Sequence, residues 1–464
     1  MFVFIEAVNK FVWGVPALFM ILWVGILLTL KTGFLQIRLF PNALKQFFLQ
    51  FKGRKESEGE ISPYRALCTA LAATVGTGNL AGVAGAIALG GPGAVFWLWV
   101  SGFVGMITKF AEIVLSMRYR YVNERGEYVG GPMITIVKGL KTKWHYLAYV
   151  YAFFGVVASF GVGNATQVNT VINGFAEVMS SFGFPFDTME RLLVAAGIAL
   201  LLLILLLGGA KKIAQAAEFI VPIAAGFYIL LCLTVLVLTR NTLPHALRSI
   251  FIGAFSPEAV TGGMIGSSFT ALRIGAARGV FTNEAGMGTA SIAHASACGN
   301  QPIQQGLMGI MEVFIDTIVI CTMTALVILC SGVVVPYGTD IGIRLTSQAF
   351  TAVYGKWVNI PIALALSSFA FATILGWSLY GLRCAQFLFG YRVWNFFVMM
   401  QITVVIIGAI LKTQTVWLVS EIVNGLMSIP NLIAIFLLMP ELLHILRIYE
   451  KFGTDLRSRN KSIE

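Results

Sequence analysis

Long apolar runs separated by short polar stretches recur from one end of this chain to the other. Runs such as Leu192 to Leu207 and Ile220 to Leu238 are apolar on every face. Transmembrane barrels show short alternating segments instead, so these spans are helices, and a hydrocarbon core of roughly 30 Å needs about 20 apolar residues for each. The pattern predicts eleven helices, at about 11–31, 64–89, 92–118, 146–180, 191–208, 213–238, 261–290, 306–333, 360–382, 394–411 and 415–438. Two amphipathic pieces, Phe34 to Phe51 and Thr242 to Phe255, are expected at the interface. The fold class is an all-α polytopic membrane protein, with residues 1–464 as a single membrane domain and 439–464 as a cytoplasmic tail.

Composition agrees. Of 464 residues 58% are hydrophobic and only 11% charged, and the mean hydropathy is +0.84, so the solvent is largely lipid. The formal net charge of +11 does not point to nucleic acid, because the basic residues cluster between apolar runs rather than on one soluble face. Lys and Arg concentrate in alternate loops, from Lys31 to Arg65, Arg118 to Lys143, Lys211 with Lys212, Arg383 with Arg392, and Arg447 to Lys461. The positive-inside rule then puts the N-terminus outside and the C-terminus in the cytoplasm of a prokaryotic inner membrane. Glu6 and Lys10 precede the first run with no small-residue cleavage site, which reads as a retained span. Cys68, Cys232, Cys298, Cys321, Cys330 and Cys384 show no CxxC or paired spacing and receive no disulfide, metal or catalytic role.

The most unusual segment is Ala72 to Gly85, AATVGTGNLAGVAG, inside the second span. Each glycine costs roughly 1 kcal/mol in a helix interior, so Gly76, Gly78, Gly82 and Gly85 mark either tight packing or a broken helix. Polar Thr74, Thr77 and Asn79 flank the glycines at membrane depth and favour an unwound stretch lining a cavity. Such a stretch offers amide N–H groups to a carboxylate and carbonyls to a cation. Gly76, Gly78 and Ala81 half-match a dinucleotide fingerprint, which is rejected because no strand precedes it. Gly262 to Gly288 is a second interrupted span, rich in glycine and hydroxyls. Two interrupted helices at corresponding places point to an inverted-repeat transporter, with repeats at 64–238 and 261–438 and broken first helices, preceded by one extra helix at 11–31.

The segments GTGNLAGVAGAIALGGPGAVFWLWVSGFVGMITKFAE, GVFTNEAGMGTA, DTIVICT and ATILGWSLYG resemble the alanine or glycine:cation symporter family, amino-acid transporters with the LeuT-type five-plus-five fold. The likeness covers nearly the whole chain. It implies sodium-coupled import of alanine, glycine or serine by alternating access, with no organic cofactor and a functional monomer. It implies the substrate carboxylate on the backbone of Thr77 and Gly78, and sodium on the carbonyls of Ala72, Val75 and Phe369 with the hydroxyl of Thr373. Ala372 stands where the family pattern has a second adjacent hydroxyl. Gln167 is expected to contact the amino acid, against an interhelical hydrogen bond as the plain alternative. Trp377 is expected to wall the pocket, and Asn79, Met264 and Ser268 complete the substrate set. Asn283 and Glu284, in FTNEAG, are implied to help form a cytoplasmic gate.

Charges at mid-membrane are costly and mark function by default. Glu112 and Asp316, with Glu312 one turn before the latter, are either proton sites or structural acids paired with Lys109, Arg273 or Arg278. Sodium coupling in the family favours the structural reading; a proton-coupled symporter is the alternative. A channel would show filter loops and charge rings. An enzyme would show a nucleophile–base set or HExxH, whereas His145, His245, His294 and His444 are scattered.

Overall fold

A computed structural model describes residues 8–9, 11–13, 16–50, 61–263, 265, 267–299, 301–339, 341–411 and 413–461, and the side chains of 413–415 and of residues beyond 451 are not among those described. Met264 of the expected substrate set lies outside the described residues.

The chain is almost wholly helical. In order, the principal helices are α1 Pro16–Lys31, α2 Phe40–Gln50, α3 Pro63–Thr74, α4 Gly78–Gly90, α5 Ala94–Tyr119, α6 Thr142–Ser181, α7 Thr188–Leu207, α8 Gly209–Leu238, α9 Leu243–Phe255, α10 Ser268–Asn283, α11 Thr289–Ala295, α12 Pro302–Cys330, α13 Ile343–Tyr354, α14 Lys356–Phe389, α15 Tyr391–Ile410 and α16 Val416–Lys451. Eight described helices are long and apolar enough to cross a membrane, nine when the pair α3 and α4, bent by 47° at its break, counts as one. With this many apolar spans the protein is a multi-pass membrane protein.

Local chemistry explains the decisive boundaries. α3 begins where Ser62 accepts a hydrogen bond from the Arg65 amide at 3.2 Å and Pro63 occupies the first turn, as N-cap preference and the fixed proline φ favour. α10 lies along α5 at close range because its contact face is Gly275 and Gly279. An ideal Cβ on Gly275 would sit 2.1 Å from the Ala94 carbonyl oxygen, and one on Gly279 would sit 2.0 Å from Ser101 Oγ. Packing through small residues is how helices associate when no hydrophobic effect drives them together.

α16 runs on to Lys451 with Met439, Leu442 and Leu446 buried, past residue 439 where the cytoplasmic tail is expected to begin. Apolar residues at helical spacing extend past the expected membrane edge and keep that face packed. The interruption expected within Gly262 to Gly288 falls at the C-terminal end of that stretch. α10 runs unbroken to Asn283, Glu284 takes the left-handed conformation (φ 55°), and the chain turns through Gly286 and Gly288 before α11.

A two-stranded hairpin, β1 Tyr121–Val122 with β2 Tyr128–Val129, follows α5. Its Glu127 pairs with Arg383 of α14 at 3.0 Å. Burial pushes the Glu127 carboxyl up, but Arg383 and the Asn123 amide outweigh it and hold the group below the usual carboxylate range.

Candidate functional site

The break between α3 and α4 is made by one side chain. In a continuous helix the Gly76 amide would donate to Ala72; here it donates to Asn79 Oδ1 at 2.8 Å. The Ala72 carbonyl, released from the helical ladder, instead accepts from the Thr373 hydroxyl of α14 at 3.0 Å, and the Phe369 carbonyl lies at the same distance from that hydroxyl. Val75 is extended at ψ 94°, so its carbonyl also leaves the helical direction. Three of the four oxygens expected to hold a cation therefore meet around Thr373, and the fourth belongs to the adjoining unwound residue. These are neutral oxygen donors, the set a hard cation prefers.

Beside them lies a second group. The Gln167 amide donates to the Val162 carbonyl at 3.0 Å within α6, while its Oε1 and the Thr77 hydroxyl are buried without a partner. The Gln167 bond is local rather than interhelical, so the carbonyl end of the side chain remains for another ligand. An ideal Cβ on Gly76 would lie 2.5 Å from Thr373 Oγ1 and 3.6 Å from Gln167 Oε1, which puts the two groups on either side of one glycine. Gly78 is covered by Thr282 and Phe281 of α10, 3.2 and 3.5 Å from its ideal Cβ. α6 is itself irregular here, with a π-helical turn at Gly161–Ala165.

Trp377 is fully buried. Its Cβ would stand 2.2 Å from a Cβ on Gly163, so α6 and α14 meet there only because that residue is glycine. The indole N–H donates to Glu284 Oε1 at 2.8 Å, and the Thr289 hydroxyl donates to Glu284 Oε2 at 2.6 Å. Asn283 caps Ala285 and donates to Thr317 at 3.2 Å. Asn283 and Glu284 thus border the second break and join it to Trp377. Ser268 lies exposed at the start of α10, and the residues of that helix that meet Gly78 are Phe281 and Thr282. Glycine-rich stretches stand at both ends of the seventh span: Gly262 and Gly263 precede α10, and the one in FTNEAGMG separates α10 from α11.

Of the intramembrane acids Glu312 meets Lys109, one of the bases expected for them, whereas Glu112 and Asp316 are held by neutral donors. Lys109 pairs with Glu312 at 3.1 Å, and His294 reaches the other oxygen of Glu312 at 3.4 Å. Glu112 Oε1 instead accepts from the amides of Gly286 (2.8 Å) and Gly288 (3.1 Å) and from Asn431 (2.8 Å). Asp316 accepts from Asn79 at 2.6 Å and from Thr317 at 2.8 Å. Arg278 pairs with Glu421 at 2.8 Å. Glu112 and Asp316 are the acids tied to the two breaks, one to each. No group of three or more potential metal-binding acids, histidines or cysteines occurs among the described residues.

A helix unwound in mid-membrane with neutral oxygens turned inward is the device by which carriers hold a small solute and a cation, and the class this fold defines is the secondary transporter, not an enzyme. The chain matches the sodium:alanine symporter family over residues 1–462. It is 42% identical to the sodium/alanine symporter AgcS of Methanococcus maripaludis, over 94% of each chain, and 41% identical to an uncharacterised transporter of Haemophilus influenzae, over 93% of this chain and 92% of that one. It also superposes on the solved structure of MhsT in complex with L-phenylalanine, a LeuT-fold protein, with a TM-score of 0.57 at 14% identity, over 82% of this chain and 90% of that one. The chain belongs to the sodium:alanine symporter family.

Proposed function

We propose that this protein imports a small neutral amino acid, alanine, glycine or serine, by symport with sodium through alternating access. The observation that carries this reading is the break at Gly76, which sets the freed carbonyl of Ala72 against Thr373 on one side and the unpartnered Gln167 Oε1 on the other. Sodium would occupy the oxygens of Ala72, Val75, Phe369 and Thr373. The substrate carboxylate would sit on the amides of Thr77 and Gly78 with the Thr77 hydroxyl. The ammonium group would face Gln167, and Trp377 would bound the side chain. With ion and carboxylate on the two ends of one unwound stretch, each favours the other by electrostatics, so binding is reciprocal. The likeness to the Methanococcus sodium/alanine symporter supports the choice of ion and substrate.

The layout we infer has eleven spans. The apolar helix Ala17–Lys31 and the pair α10 with α11, added to those long enough to cross, support that number. One extra helix precedes repeats at 64–238 and 261–438, with the N-terminus outside, the C-terminus cytoplasmic and a single chain as the working unit.

Purified protein in liposomes decides the main claim. Labelled alanine should accumulate under an inward sodium gradient and not under a pH gradient in sodium-free buffer. One observation favours proton coupling instead: Asp316 touches Asn79, the residue that makes the break. Accumulation driven by pH alone, and lost in Asp316→Asn, would select that reading.

The cation site carries its own test. Thr373→Ala removes one of its oxygens and is expected to raise the sodium concentration for half-maximal uptake severalfold, while Thr373→Ser stays near the parent. Equal sodium dependence in all three proteins would take Thr373 out of the site.

A further inference from the structure

We propose that Asn424 of α16 binds the substrate directly, its side-chain amide taking the ammonium group of the amino acid whose carboxylate lies at the break. This rests on the amino-acid reading above and assigns to the last helix a part in recognition.

Asn424 is completely buried, and neither its Nδ2 nor its Oδ1 has a hydrogen-bond partner. Burying an amide with both ends unpaired is costly, and folded proteins pair such groups almost without exception. In a membrane the penalty is not relieved by bulk water. A side chain in that condition is open to a partner from outside the chain.

Its position follows from the residues around it on the same helical face. Residues separated by three, four or seven lie on one side of a helix, which aligns Trp417, Ser420, Asn424 and Asn431. Trp417 packs on Phe281 with ring centroids 5.5 Å apart, and Phe281 is the ring covering Gly78. The Ser420 and Thr166 hydroxyls lie 3.0 Å apart, and Thr166 adjoins Gln167. Asn431 donates to the Gly286 carbonyl at 2.9 Å, inside the second break. The face of α16 thus meets the cover of the first break, the turn beside Gln167 and the second break at three successive levels. Asn424 sits among these levels, one turn from Ser420 and two from Asn431.

The chemistry fits a zwitterion. Gln167 Oε1 and Asn424 Oδ1 are both buried amide oxygens without a partner, and such oxygens accept from the N–H groups of an ammonium ion. The unpaired Thr77 hydroxyl donates to a carboxylate. Asn424 Nδ2 adds a donor next to its acceptor, so one neutral side chain can meet both charged groups of an amino acid. Neutral amides do this in a low-dielectric site without leaving a net charge when the substrate departs.

The test uses full-length protein in sodium buffer, with alanine as the probe. Asn424→Leu, nearly isosteric and apolar, and Asn424→Ser, small and polar, are each compared with the parent for uptake and for the thermal shift induced by alanine. We expect either variant that folds to show a half-saturating alanine concentration at least about tenfold higher and a reduced alanine-induced shift. N-methylalanine, which lacks one ammonium N–H, should be discriminated against less strongly than by the parent. A purely structural asparagine would change neither this ratio nor alanine affinity, and a folded variant with both at parental values overturns the proposal. If the parent itself shows no sodium-dependent response to alanine, the amino-acid reading fails and this inference with it. A parental response with unaffected variants removes Asn424 alone.

Discussion

Lys109→Met is expected to lower the folding stability of the purified protein by about 3–5 kcal/mol, because it strands the Glu312 carboxylate in a fully buried site. The Lys109–Glu312 pair joins α5 to α12, both ends wholly inaccessible, so the single change removes the partner and leaves the desolvation. The double variant Lys109→Met with Glu312→Leu should recover much of the loss, since a buried ion pair exchanged for apolar residues of similar size is often neutral. Unfolding in mixed micelles titrated with SDS measures all three proteins. A double variant as unstable as the single would show that the pair does not act as a unit.

Trp377→Ala should have the second largest effect, and on two properties together. Removing the largest buried side chain leaves a cavity against Gly163 and deprives Glu284 of its indole donor, for an expected loss of about 3–5 kcal/mol in stability. Where the protein still folds, competition uptake should show larger neutral amino acids admitted and alanine bound more weakly. Gly163→Ala probes the same contact from the other side, since its Cβ would stand 2.2 Å from that of Trp377. An unchanged order of competitors in Trp377→Ala would place the ring outside the substrate's reach.

Much of this architecture was legible in the chain. Apolar runs mark the spans because lipid demands internally bonded helices, and the glycines with Thr77 and Asn79 mark the first break. The device that holds that break is local: Asn79 reaches back three residues to the Gly76 amide. The second break was harder to place, because 262–263 and 286–288 are both glycine-bearing. What decides between them is tertiary, namely amides of Gly286 and Gly288 turned toward Glu112, more than 170 residues earlier. The same distance hid the true partners of Glu112, for which bases seemed the natural choice. The spacing of Ser420, Asn424, Ser428 and Asn431 was visible as a polar stripe in an apolar helix and is the signal by which Asn424 could have been found.

The shared oxygen of Glu112 carries a consequence for motion. Gly286 and Gly288 belong to the turn leading into α11, Asn431 to α16, and the carboxylate itself to α5, so a single atom is the knot of three strands of structure. Loosening any one leaves a buried carboxyl oxygen with fewer donors, and a buried polar group that loses its partners is costly. The join is therefore either tied or undone. An opening that moves α11 away from α5 or α16 has to break bonds to this one atom, and α11 is expected to travel with its neighbours or part from them in one step.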